Sequence, residues 1–331
     1  MKNMNGKNID YKEVLSKLGP LLALVLVSIA LSLGTEQFMT VGNITNIMRQ
    51  ASINSLIAAG MMMVILTGGI DLSVGSITAF AACVMGVMIK NGIMNPVLLI
   101  AAGFGSGTFV GYINGILLTK LRLPHPFIST IGTRNIFRGL ALLITAASPI
   151  SGFPKAVQYP GTGDIVFGIP VSFIIVIVMY LGIHIFLNKT ALGRHIYAVG
   201  GNKEAARLSG LNVNKILVIV YAICGFMCAF AALVMVGRLN TAFPLAGSTS
   251  DMDAIASCII GGVSFLGGKG TIWGTLIGSL LITVLRNGLN LIGASADMQL
   301  VVIGLVIIVA VYVDVLRARA EAKSKRLAAK R

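Results

Sequence analysis

The chain has 331 residues, 56% of them hydrophobic and only 11% charged, and its mean hydropathy is +0.90. Soluble domains carry about 25% charged residues, so a soluble fold is excluded. The net charge of +15 would suit nucleic acid in a soluble protein. Here the basic residues lie between apolar runs, as the cytoplasmic Lys and Arg of a membrane protein do, and no nucleic-acid partner is expected.

In chain order, residues 1–18 carry Lys2, Lys7, Lys12 and Lys17. The first apolar run, Gly19–Gly34, follows this basic stretch as a signal sequence would. It lacks a small-residue cleavage site and reads as an uncleaved first helix over 19–36. Helix 2 is expected over 51–68, with Arg49 before it and Gly68-Gly69 at its end. Helix 3 (70–89) opens on Asp71 and Ser73, suited either to cap it or to line a path. Helix 4 (96–119) has Gly103, Gly107, Gly111 and Gly115 on one face, which lets another helix approach closely in lipid.

Helix 5 (125–147) holds Arg134 and Arg138 one turn apart. An intramembrane Arg marks a functional site by default, and one near an interface can also snorkel. Helix 6 (165–187) leads into a basic loop, and helix 7 (215–237) is followed by Arg238. Helix 8 (253–266) is short for a span and can be re-entrant or broken. The GGKGT after it has the outline of a phosphate loop. That motif needs a Gly where Val263 stands and a Ser or Thr where Gly270 stands, so the segment is a glycine turn. Helix 9 (271–292) presents Ser279, Thr283, Arg286 or Asn287, and Asn290 as a polar stripe, facing either neighbouring helices or a watery path. Helix 10 (298–315) precedes a tail with seven basic residues.

Starting inside and alternating, this order places 19 of the 26 Lys and Arg in the cytoplasm, while Glu36, Asp164, Asp251, Asp253 and Asp297 fall outside. The fold expected is an all-α integral membrane protein with about ten transmembrane helices and both termini cytoplasmic. Its parts are a cytoplasmic segment 1–18, a transmembrane domain 19–315 with a cytoplasmic loop 188–214, and a basic tail 316–331. GGIDLSVGS and GGVSFLGGK align with Gly75 over Gly268, a hint of internal repetition. Cys83, Cys224, Cys228 and Cys258 lie in apolar stretches with nothing beside them to complete a metal set, so no metal or cofactor is expected.

The loop LGRHIYAVGGNKEAARLSGLNVNK is the most informative stretch. Asn202 can cap a short helix whose first turn holds Glu204, where the macrodipole favours an acid. Ala205, Ala206 and Leu208 form a compact apolar ridge beside Arg207, and Gly210 suits a left-handed stop. A capped helix projecting from a membrane is a shape another protein can grip.

Glu204-Ala205-Ala206 followed by Gly210 resembles the E-A-A-x-x-x-G loop of ABC importer permeases, although the family's further Ile and Leu-Pro are not visible. The chain is also similar to the sugar-importing branch, the permeases for ribose, galactose, xylose and arabinose. GGIDLSVGS, PFISTIGT, ASPISGF, DAIASCIIGGVSFLGGKGTIWGTLIG and NGLNLIG carry that resemblance over nearly the whole chain. It implies a bacterial inner-membrane permease subunit that is not itself an enzyme. Residues 202–210 would couple it to a separate ABC ATPase subunit. A sugar-binding protein would dock outside, at Arg49 and Arg238, and a second permease copy would sit alongside within the membrane lipid. From their own polarity, Asp71, Ser73, Ser279, Thr283, Asn287 and Asn290 are the candidates for lining the path, with helix capping or interhelical bonding as the alternative. An ion-coupled transporter would need midplane carboxylates, of which Asp71 is the one near-membrane candidate. An intramembrane enzyme would need a His, Ser or Asp set at depth, and His125, His184 and His195 stand apart in the sequence.

Overall fold

The computed structural model describes residues 11–328 apart from 122, 124, 166 and 167. Lys2, Lys7, Arg122, Lys330 and Arg331 lie outside the described residues.

All ten predicted helices are present, most with shifted ends: α1 (Tyr11–Gly34), α2 (Val41–Leu66), α3 (Val74–Lys90), α4 (Pro96–Thr119), α5 (Pro126–Thr145), α7 (Val171–Lys189), α10 (Val213–Leu239), α11 (Ser250–Ile260), α12 (Ile272–Leu291) and α13 (Ala296–Ala328). Three shorter helices join them: α6 (Lys155–Thr162), α8 (Ala191–Gly201) and α9 (Lys203–Leu208). Among the described residues α2, α4, α7, α10 and α12 are long and apolar enough to cross a membrane. Shorter apolar stretches occupy 19–34, 74–90 and 296–312.

The early start of α2 has a local cause. Thr40, in extended conformation, accepts from the Asn43 N–H and starts α2 ten residues before its expected beginning. Arg49 therefore lies inside α2, not ahead of it, and Arg238 lies in the last turn of α10, not after it. Elsewhere the ends follow the sequence. Asn95 with Pro96 starts α4, His125 with Pro126 starts α5, and Thr271 caps α12. At 11 residues α11 rises about 16 Å, roughly half a hydrocarbon core.

Helix α10 stands at the centre, packed on α4, α2, α6 and α3, while α2 is enclosed by α10, α12, α11 and α7. Residues 55–66 of α2 are buried without a break, so from Leu56 on this helix is apolar all round because it meets neighbours all round. Toward one end of the molecule, β1 (Ile150–Ser151) pairs antiparallel with β2 (Thr241–Ala242). The small face of α4 meets α10 as its spacing predicts. A Cβ added at Gly111 would overlap the carbonyl oxygen of Tyr221, and Gly107 and Gly115 approach the same helix. Gly103 instead makes room for Met85 of α3.

The two glycine turns share one geometry with a different register. After α2, Gly68 N–H donates to Ile65 and Gly69 N–H to Val64; after α11, Gly262 N–H donates to Ile259 and Val263 N–H to Cys258. Both are Schellman stops with the glycine at positive φ, +75° at Gly68 and +86° at Gly262. Gly68 thus corresponds to Gly262, not Gly261. The proposed match of Gly75 with Gly268 is overturned, because Gly75 lies in the first turn of α3 while Gly268 lies in the loop ahead of α12. Loops of unequal length separate the two turns from their following helices.

Candidate coupling and translocation sites

The short helix α9 forms as its residues dictate. The Asn202 side chain accepts from the Ala205 N–H at 2.9 Å, Glu204 occupies the first turn and Arg207 the last. Gly210, at φ +83°, lets Gly210 N–H donate to Arg207 and Leu211 N–H to Ala206, closing the helix in a Schellman stop. Glu204 and Arg207 are exposed and 3.9 Å apart, an arrangement that adds little stability. Ala206 is buried against the body of the protein, whereas Leu208 is 85% exposed. Beside α9 lies a cleft of about 670 Å³, bounded by Lys203, Glu204 and Arg207 on one side and by Thr67, Gly68 and Gly69 on the other.

Of the polar residues assigned to a path, Asp71, Ser73, Ser279, Thr283 and Asn287 are buried and Asn290 is exposed, and most of them bond to polar partners on other helices. Asp71 accepts from the Ser73 N–H and hydroxyl and from Asn114 Nδ2 of α4, and Asn114 Nδ2 also donates to Ser73 at 2.8 Å. Asp71 thus holds the turn just ahead of α3 and ties it to α4 through Asn114, while Ser73 at the N-cap makes no side-chain capping bond. On α12, Ser279 accepts from Asn54 Nδ2 and the Ser55 hydroxyl of α2, and Asn54 also donates to Ser257 of α11. The Thr283 hydroxyl turns back onto its own helix at Ser279 O, and Asn290 accepts from Gln299 of α13. Asn287 and Asn43 exchange two amide bonds, at 2.8 and 3.0 Å. Asn43, Asn54 and Asn114 are the partners that sequence reasoning missed; amides inside otherwise apolar helices were the available signal.

The arginines are held from within the chain. Arg49 is 2.7 Å from Asp164 and also donates to Thr162 O; Arg238 donates to Asn46 Oδ1 at 2.8 Å. Arg134 pairs with Asp251 at 3.1 Å and reaches Ser248 O, while Arg138 donates to Pro244 O and Ala246 O. Arg286 pairs with Asp253 at 2.8 Å. These bonds clamp the segment between β2 and α11 onto α5 and α12.

The packed apolar helices, five of them among the described residues long enough to cross a membrane, with polar bonds enclosed between them, are those of a multi-pass membrane protein. The chain belongs to the family described as branched-chain amino acid transport system / permease component, whose model matches residues 43–311. It is 44% identical to the ribose import permease protein RbsC of Bacillus subtilis (strain 168), over 93% of this chain and 95% of that protein. It is 40% identical to RbsC of Escherichia coli (strain K12), over 95% and 98% respectively. With the D-allose transport system permease protein AlsC of the same strain it shares 41% identity over 88% of each. No solved structure matches the chain.

Proposed function

We propose that the chain is the membrane-spanning permease subunit of an ATP-driven importer and carries a monosaccharide, ribose or a close relative, into the cell. The observation that carries the reading is α9, capped by Asn202, stopped by Gly210 and leaving Leu208 exposed. The sugar rests on the names of the relatives, ribose and allose permeases of nearly the same length.

In this reading the chain crosses the membrane about ten times with both termini cytoplasmic, and α11 together with the glycine loop after it makes the eighth crossing. The grouping of contacts supports it. The ends of α2 and α8 meet the loop before α12 on one side, where the cytoplasm would be. Arg49, Asp164, Asn46 and Arg238 gather where the outside would be. ATP is hydrolysed on a separate subunit gripping residues 202–210, a sugar-binding protein docks near Arg49 and Arg238, and a second copy or a close relative completes the path. The residues 71, 73, 279, 283, 287 and 290 face that path once their present bonds part.

Reconstitution tests it. The chain alone in liposomes should neither hydrolyse ATP nor accumulate ribose, and adding the matching ATPase and the loaded binding protein should confer both. Concentrative uptake by the lone chain under an imposed proton or sodium gradient would refute the reading.

A further inference from the structure

Three stretches far apart in sequence meet main chain to main chain at the root of α9. The Gly268 N–H donates to the carbonyl of Leu66, the last residue of α2, at 2.9 Å. Gly200, in the last turn of α8, lies against both: a Cβ there would overlap the Leu66 oxygen and come within 2.6 Å of Gly268 N. Gly267, at φ +86°, brings its α-carbon so near that a Cβ would stand 2.9 Å from Gly68 N and 3.1 Å from Gly200 O. One turn earlier in α8, the Tyr197 hydroxyl donates to Gly270 O at 3.0 Å. Only Asn202 separates α8 from α9.

We infer that Gly200 is a positioning residue, which fixes the root of α9 rigidly to the turn after α2 and to the loop before α12 and so delivers any displacement of α9 to both. Main-chain contact is what makes the transfer stiff. Side chains can change rotamer and absorb a shift of an ångström, whereas backbone atoms already in van der Waals contact cannot. The first receiving segment continues through Asp71 and Ser73 into α3, and the second into α12, which carries Ser279 and Asn287. Tightening or releasing α9 therefore bears directly on the helices whose buried polar bonds must part.

This assignment rests on the permease reading, and its test separates the two. The full chain is assembled with its ATPase in liposomes. Basal ATP hydrolysis, its stimulation by the ribose-loaded binding protein, and ribose uptake are then read for the wild type, Gly200→Ala, Gly201→Ala and Tyr197→Phe. An added Cβ at Gly201 meets nothing within 4 Å, so that variant is the matched control. In Gly200→Ala, ATPase co-purification and basal hydrolysis should match the wild type, while stimulation and uptake fall about tenfold or more. Tyr197→Phe, which adds no bulk, should lower stimulation about threefold, in keeping with the loss of one hydrogen bond, and Gly201→Ala should change nothing. A merely structural glycine would lower insertion, assembly and basal hydrolysis together. Wild-type stimulation in Gly200→Ala overturns the inference while leaving the permease reading intact. So does failure of Gly200→Ala to insert combined with wild-type stimulation in Tyr197→Phe. Absence of uptake by the wild-type assembly would defeat the permease reading and this inference with it.

Discussion

At the residue scale, the ion pair between Arg286 and Asp253 shows how the bundle treats charge. The two side chains are 23% and 12% exposed and lie 2.8 Å apart, so each is acceptable chiefly because the other is there. Arg286→Met should destabilise the protein by about 3 kcal/mol, because it leaves Asp253 charged and enclosed. Adding Asp253→Asn should recover more than half of that. Thermal unfolding in detergent reads both, and a double variant no more stable than the single would show that the pair does not act as a unit. This pairing was only half legible in the sequence. Helical spacing put Arg286 on the polar face of helix 9, but nothing local reveals that its partner stands on α11, 33 residues away. The same limit hid Asn54, whose two bonds span more than 200 residues. By contrast Asn202, Glu204 and Gly210 were readable in full, since a cap and a left-handed stop are settled within one turn of chain.

At the element scale, α4 and α10 depend on the absence of side chains where they cross. Gly111→Ala should cost about 1–3 kcal/mol, since the methyl group has to push two backbones apart. Gly105→Ala, on the same helix with nothing near an added Cβ, should be neutral or stabilise by up to about 1 kcal/mol through better helix propensity. Equal melting temperatures for the two variants would contradict the packing. The four-residue glycine spacing announced this contact, though not its partner. Helix α8 went unread because its glycines and its place in a basic loop masked a short amphipathic turn, whose Ile196 and Val199 are buried. Its existence comes from packing under α2 and α10, and propensity alone would not stabilise 11 residues. The early start of α2 was missed for the opposite reason. Asn43, Asn46 and Arg49 look like loop residues, yet each finds a partner inside the protein.

At the scale of the whole molecule, the proposed topology, an even number of crossings with both termini cytoplasmic, makes a prediction about access from the two sides. Single cysteines at Leu208 and at position 325 should react with an impermeant thiol reagent only from the cytoplasmic face, and those at Tyr159 and Leu245 only from the outer face. Labelling of position 325 from outside would overturn the even number of crossings. The arrangement across the molecule also gives a meaning to the paired amides of Asn43 and Asn287. Helices α2 and α12 are made at opposite ends of synthesis, more than 200 residues apart, and must find one alignment among many of similar apolar contact area. Lipid offers little penalty for a helix that slides by one residue, but the two amides do: both bonds break together, and the buried Asn287 amide loses its partners. The pair works as proofreading, adding modestly to the right assembly and charging heavily for the wrong ones. Its loss would be felt as a mixed population of alignments before it was felt as unfolding.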